Sequence, residues 1–403
     1  MPCPFLDQQP DPFREVRRDR GVLLNDFHGD VMPILIRHAD VREAARDWQT
    51  FSSDAPFKIP VPHEENVRSV RQLPLEIDPP AQQEYRAIVE PFFNRAKLPD
   101  VVAQVEFLVA TLLRDALARP AIEIVREFAI PLQSRALAFL LNVPQSEAET
   151  WIGWGMHVFR EGDGTSKGAA MEAYASGLLD RAAREPGADF FSALCQATFQ
   201  GRPLTREEML GFCSIVFAGG RDTIINSISG VIGHLAKHPQ DFEFLRQDSK
   251  RIVGASEEFF RVLSTSTHLT RLCTRKVDLH GVAVEPGNFV SLNFAAANYD
   301  PDVFVDPETV QLDRRPNPHV AFGFGPHLCL GAPHARLVVR SLLKQLCDHV
   351  QHIELISAQD RIEKESTYQR CVAFESLTVR LTPRQEHHSA SGDGTGTEAD
   401  SGA

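Results

Sequence analysis

The stretch that most narrows the choice of fold is a loop of ten residues near the C-terminal end, Phe322-Gly323-Phe324-Gly325-Pro326-His327-Leu328-Cys329-Leu330-Gly331. Gly323, Gly325 and Gly331 bracket Cys329. Such glycines permit backbone turns that other residues resist, and they let a flat ligand come close to the main chain. Directly after the loop, Ala332 to His349 has the three- and four-residue apolar spacing of a helix. Cys329 therefore stands just before a helix start, where free backbone N–H groups and the helix dipole favour a thiolate. A lone thiolate with no second ligand beside it suits one axial bond to a metal already held by four other atoms, as heme iron is. On these residues alone, a structural thiol in a turn stays open as the other explanation.

Composition limits the alternatives. With 403 residues, 43% hydrophobic and 24% charged, the chain has the make-up of an ordinary globular protein large enough for a sizeable core. No apolar run approaches the roughly 18 residues of a membrane-spanning helix. The opening residues lack the apolar core of a secretion signal, so a cytoplasmic location is expected. A net charge of −12 disfavours general affinity for nucleic acid. The seven cysteines are odd in number, scattered and without a CxxC pair, which argues against a disulfide framework or a zinc ribbon. Residues 384–403 are small, polar and rich in Gly and Ser; a disordered tail is expected there. Residues 1–383 show no linker and read as one large domain.

Apolar periodicity predicts helices over 98–118, 122–142 and 147–159. The longest spans 205–238: Thr205 and Glu208 form a capping-box pattern at its start, and Pro239 ends it. At the standard rise, that is about 50 Å, enough to cross the domain. After Arg271 the character changes. Val277–Leu279, Val282–Val284 and 289–292 are short strand candidates between Gly-containing turns, and a terminal pair is expected at 353–355 and 377–381. The fold class is mainly α with a small antiparallel β part, built round one long central helix. That helix carries Ala218-Gly219-Gly220-Arg221-Asp222-Thr223. Two glycines in mid-helix cost about 1 kcal/mol each relative to alanine. Their presence suggests an opening there, with the Thr223 hydroxyl bonding the Gly219 carbonyl.

The loop pattern FGxGxHxCxG resembles the heme-binding loop of the cytochrome P450 family, with every fixed position present. The resemblance implies the P450 fold, with Cys329 as proximal iron ligand, His327 near a heme propionate and Phe322 packed beside the thiolate. Glu258 and Arg261, three apart on a helix, resemble the family's ExxR pair. Arg314 matches the arginine that completes a buried structural triad with them. The segment 78–86 resembles another family element: Gln82 and Arg86 share a helical face that meets a propionate, Gln82 standing where His is commoner. Arg271 matches a further propionate partner. Gly219 and Gly220 line the distal side, and Asp222-Thr223 resembles the acid–alcohol pair that delivers protons during dioxygen activation, with Asn226 one turn on. An outward side chain is expected for Arg221.

The resemblance further implies a monooxygenase with heme b (iron protoporphyrin IX) that hydroxylates or epoxidises a small, mainly apolar substrate. Electrons come from a ferredoxin and its NAD(P)H-dependent ferredoxin reductase, docking near Arg336, Arg340 and Lys344. A monomer is expected, with no nucleic-acid or membrane partner. Phe57, Ile59, Val61, Val216, Phe217, Leu269, Val372 and Phe374 are candidates for the substrate pocket. His63, Glu64, Glu65, Arg68 and Arg71 either anchor a polar group or solvate a loop. The alternatives are a peroxide-driven peroxygenase, which would not need the intact Asp222-Thr223 pair, a non-catalytic heme sensor, and a structural helical protein without heme.

Overall fold

The computed structural model of the protein describes residues 11–27, 29–60, 63–156 and 168–384. The expected tail beyond Arg384, the end of the helix expected to reach Phe159, and Val61 lie outside them.

The principal helices, in chain order, are α1 (His38–Arg46), α2 (Ala81–Asn94), α3 (Pro99–Leu117), α4 (Ile130–Leu141), α5 (Arg206–Gly219), α6 (Asp222–Lys237), α7 (Arg251–Leu263) and α8 (Ala332–His349). The principal strands are β1 (Val22–Phe27), β2 (Asp30–Leu35), β3 (Phe51–Ser52), β4 (His268–Cys273), β5 (Phe289–Asn293), β6 (Val350–Lys364) and β7 (Gln369–Pro383). One sheet runs β1-β2-β5-β4-β3. Only its β2–β5 pair is parallel, with Ser291 opposite Ile34. β6 and β7 make a long bulged hairpin edged by Ile122–Glu123.

The termini follow the local chemistry. The Thr205 hydroxyl accepts from the Glu208 N–H, and the Glu208 carboxylate accepts from the Thr205 N–H, completing the capping box. α4 ends at Asn142 in the left-handed conformation, φ 58°, as a helix C-terminus favours. From Ile224 to Leu235 every residue of α6 is buried, which makes it the central helix. Its apolar sides pack against α7, α8 and the β6–β7 hairpin. A second core joins α2, α4 and α5.

Three expectations are corrected. The central helix is not continuous: α5 stops at Gly219 and α6 starts at Asp222, because the amides of Ile224 and Ile225 both donate to the Arg221 carbonyl, at 3.1 and 3.0 Å. The segment 122–142 is not one helix either. Ile122–Glu123 pairs with β7, Val125–Ala129 forms a wide helical turn, and only then does α4 begin. Arg221 points inward: it is fully buried, lies over the Trp154 ring, and its Nη2 donates to the Gly155 carbonyl at 2.7 Å. Burial pushes its pKa down to about 10. Among the described residues no helix is long and apolar enough to cross a membrane.

Candidate active site

The site begins with the turn that presents Cys329. Gly323 and Gly325 have φ of 73° and 71°, in the left-handed region. A Cβ on Gly325 would come within 2.6 Å of the Ala45 carbonyl of α1, so only glycine lets the loop lie against that helix. The Cys329 N–H closes the turn by donating to the Phe322 carbonyl at 2.9 Å. Phe322 sits between the Phe260 ring, 4.9 Å away, and the Arg336 guanidinium, 4.6 Å away. Cys329 is accessible, and its surface opens on a cavity of about 410 Å³. Although its surface is open to the cavity, the surrounding protein displaces bulk water and raises its thiol pKa; the N–H groups of Gly331 and Ala332 and the charges of Arg86 and Arg336 pull the other way. An electropositive cradle of this kind stabilises a thiolate once a metal removes the proton.

Beside the cysteine the cavity is edged by Gln82, Arg86, Arg271 and His327. Arg86 donates to the carbonyls of Leu328 (2.7 Å) and Pro326 (3.4 Å), and Gln82 Nε2 to Pro326 (2.9 Å). Both thereby brace the cysteine loop. Arg271 is buried and donates to the Thr270 carbonyl at 2.7 Å; burial lowers its pKa to about 10. Burial, Arg271 and Arg86 together press His327 down to about 3, and its Nε2 has no partner. Among the described residues no carboxylate pairs with Arg86 or Arg271. This concentration of positive charge, with only the more distant Asp78 and Glu90 opposing it, next to an orphaned imidazole nitrogen fits a cofactor with an acidic edge, as the propionates of heme provide.

Across the cavity stand Val216, Gly219, Gly220 and Thr223, where the central helix breaks. The Thr223 hydroxyl donates to the Gly219 carbonyl at 3.2 Å, as the sequence suggested. Asp222, next to it, is half-buried and off the cavity wall. Asn226 is buried, with its Oδ1 unpartnered.

Behind the loop, Glu258 and Arg261 are both fully buried and joined by two 2.8 Å bonds; Arg314 Nε lies 3.1 Å from each oxygen of the same carboxylate. The Gln311 N–H (2.9 Å) and Asn317 side chain (3.1 Å) complete its shell. Burial alone would raise the Glu258 pKa, but Arg261, Gln311 and Arg314 hold it below the usual carboxylate range. Neither Gln311 nor Asn317 carries a spacing signal.

The substrate side departs most from expectation. Val216 and Leu269 line the cavity. Phe57, Ile59, Phe217, Val372 and Phe374 do not. Phe217 packs on Trp151 and Trp154, one helical step away from Val216. Phe374 fills the space against Gly233 of α6. Val372 and Ile59 are buried elsewhere, and the Phe57 ring lies under Arg68. Other apolar residues take their place, among them Leu73, Phe93, Ile215 and Phe294, joined by the polar Glu64, Gln72, Thr265 and Ser266. Arg68 is no solvating cation. It is fully buried, bonded to Glu76 and to Glu64 (2.6 Å), and Glu76 Oε2 also accepts from the Gln72 N–H at 2.7 Å.

The cytochrome P450 family profile matches residues 172–367. A probable cytochrome P450 127A1 of Sinorhizobium fredii is 31% identical over 310 residues, 75% of this chain and 73% of that protein. The chain belongs to the cytochrome P450 family. The vitamin D3 dihydroxylase of Streptomyces griseolus is 28% identical over 88% of this chain and 89% of its own. Among solved structures, that of a carbohydrate active P450 superposes with a TM-score of 0.90 at 40% identity, covering 93% of this chain and 98% of the other. The protein is thus a P450 monooxygenase, and the family implies a heme-thiolate cofactor, redox partners and a small-molecule substrate.

Proposed function

We propose that this P450 inserts one oxygen atom into a small substrate that carries hydroxyl groups on a carbon framework, a sugar-like molecule being the best fit. One observation carries the reading: a single cavity is shared by Cys329, the Thr223 helix break and the polar wall of Glu64, Gln72, Thr265 and Ser266. Apolar side chains such as Val216, Leu269 and Phe294 would hold the carbon skeleton. The polar wall would bond its hydroxyls, and buried polar groups reject ligands that leave them unpaired. The relative at 40% identity is a carbohydrate active P450, which supports a more polar ligand than the mainly apolar one expected from sequence.

In this reading Cys329 ligates heme b, with Arg86, Arg271 and His327 at its propionates. When bound, the heme supplies the iron-centred oxygen chemistry of the family. Thr223 holds a hydroxyl proton at the open Gly219 carbonyl, and Asp222 would replenish it through water. The Arg–Glu–Arg cluster fixes the back of the cysteine loop.

Electrons arrive from a ferredoxin and its NAD(P)H-dependent reductase at the groove lined by Lys97, Arg336, Arg340 and Lys344. Glu257 already binds Arg336 and Arg340, each at 2.7 Å, and Asp348 lies 3.6 Å from Lys344, so Lys97 would carry most of the attraction. The reading takes the protein as a cytoplasmic monomer whose single domain spans residues 1–383. The test is a Soret-shift titration of the heme-loaded protein with sugar-type and terpene-type ligands, followed by product analysis with a ferredoxin system. Shifts and oxygenated product with the hydroxylated set support the proposal; shifts confined to the terpenes overturn the substrate class.

A further inference from the structure

At the helix break the carbonyls of Gly219 and Gly220 are taken by side chains. The Gly219 carbonyl is taken by Thr223 Oγ1. The Gly220 carbonyl loses its usual donor, because the Ile224 amide turns to Arg221. A buried carbonyl needs a partner, and Gly220 finds one outside its own helix: the side-chain Nε2 of Gln133, on α4. Gln133 is fully buried. The same Nε2 lies 3.4 Å from Nε2 of His334, which projects from α8 and is 2% exposed. Burial lowers the His334 pKa to about 4, so the ring is neutral. With the Gln133 amide donating to Nε2, the imidazole proton sits on Nδ1.

We propose that Gln133 and His334 form a brace that holds the central helix open at Gly220 and ties the break to α8, the helix that follows the Cys329 loop. They are positioning residues for the oxygenation reaction, acting through the Gly219–Thr223 geometry. The proposal rests on the P450 reading of the cavity but concerns residues outside the family pattern found in the sequence. A purely structural origin accounts poorly for the pair. Gln133 Oε1 and His334 Nδ1 are buried without partners, a cost that apolar residues at both positions and an unbroken helix would avoid. What the arrangement gains is a Gly220 carbonyl held out of the ladder by a partner on another helix. His334 also lines the cavity, so the brace reaches from α4 to the cavity wall.

The test is hydrogen–deuterium exchange on the heme-loaded protein, wild type against Gln133→Leu, His334→Leu, His334→Gln and the double Leu variant. Losing one buried hydrogen bond should speed exchange of the amides at 219–225 about tenfold in Gln133→Leu, with residues 228–236 of the same helix unchanged. His334→Leu should give a smaller rise, His334→Gln should retain the acceptor and match wild type, and the double variant should not exceed Gln133→Leu. The carbon–oxygen stretch of carbon monoxide on the reduced protein should shift in step with exchange. Exchange that rises equally along α5 and α6, or does not rise, overturns the brace. If Gln133→Leu does not fold, the His334 pair decides: His334→Leu indistinguishable from His334→Gln overturns it. None of these readouts requires a substrate, so failure of the substrate proposal leaves the test intact.

Discussion

Replacing Arg261 with alanine should bring the protein to the edge of unfolding. Its guanidinium makes two 2.8 Å bonds to Glu258 and two more of 2.8 Å to the carbonyls of Asn298 and Pro307, with a 3.4 Å contact to Thr309. Breaking a buried ion pair from one side costs about 3–5 kcal/mol, because the other charge is left uncompensated. Arg314 and Asn317 still reach Glu258, which moderates that term. The orphaned carbonyls add about 1–3 kcal/mol each unless water reaches them. A loss of at least about 4 kcal/mol is expected, against a typical net stability of about 5–15 kcal/mol. The fork cannot be matched by an ammonium, so Arg261→Lys should fall between. Urea unfolding gives the stability, and the ratio of Soret to protein absorbance gives heme loading. An Arg261→Ala protein within about 1 kcal/mol of wild type, fully heme-loaded, would refute the reasoning.

Thr223→Ala should retain ligand-induced Soret shifts while more of the consumed reducing equivalents appear as hydrogen peroxide; unchanged coupling removes Thr223 from proton delivery. Gly325→Ala places a methyl 2.6 Å from the Ala45 carbonyl at a left-handed φ, so a loss of at least about 1–2 kcal/mol is expected, with reduced heme uptake. The Glu258 carboxyl is held below its unfolded value of about 4.3. Its stabilising contribution is therefore complete above that pH and is lost as pH falls toward the folded value. Glu258→Gln should flatten the acid limb of the unfolding-versus-pH curve, and an unaltered limb would assign acid sensitivity elsewhere.

The motifs were legible where local chemistry dominates. A glycine-flanked cysteine before a helix, a carboxylate three residues from a guanidinium, and a threonine four residues from a glycine each need only short-range geometry. The hidden parts depend on which face tertiary packing selects. Val216 and Phe217 are neighbours, yet one lines the cavity and the other packs on Trp151 and Trp154. Phe374 faces Gly233 because β7 lies along α6; its apolar character is the same for either face. Ile122–Glu123 keeps helical spacing but is drawn into strand pairing by β7. Arg221 looked like a surface cation beside an acid, while Trp154 and the Gly155 carbonyl offer it a buried berth. Gln133 and His334 come from helices 201 residues apart in sequence, and nothing in their spacing announces a meeting.

The most direct check on Cys329 as the iron ligand is the difference spectrum of the reduced protein with carbon monoxide, recorded for wild type and Cys329→Ala after purification from heme-replete cells. Thiolate ligation predicts the long-wavelength band that gives the family its name in wild type, and its loss in the variant with most helical content kept. A wild type that takes up no heme, or a variant that keeps the band, would contradict it.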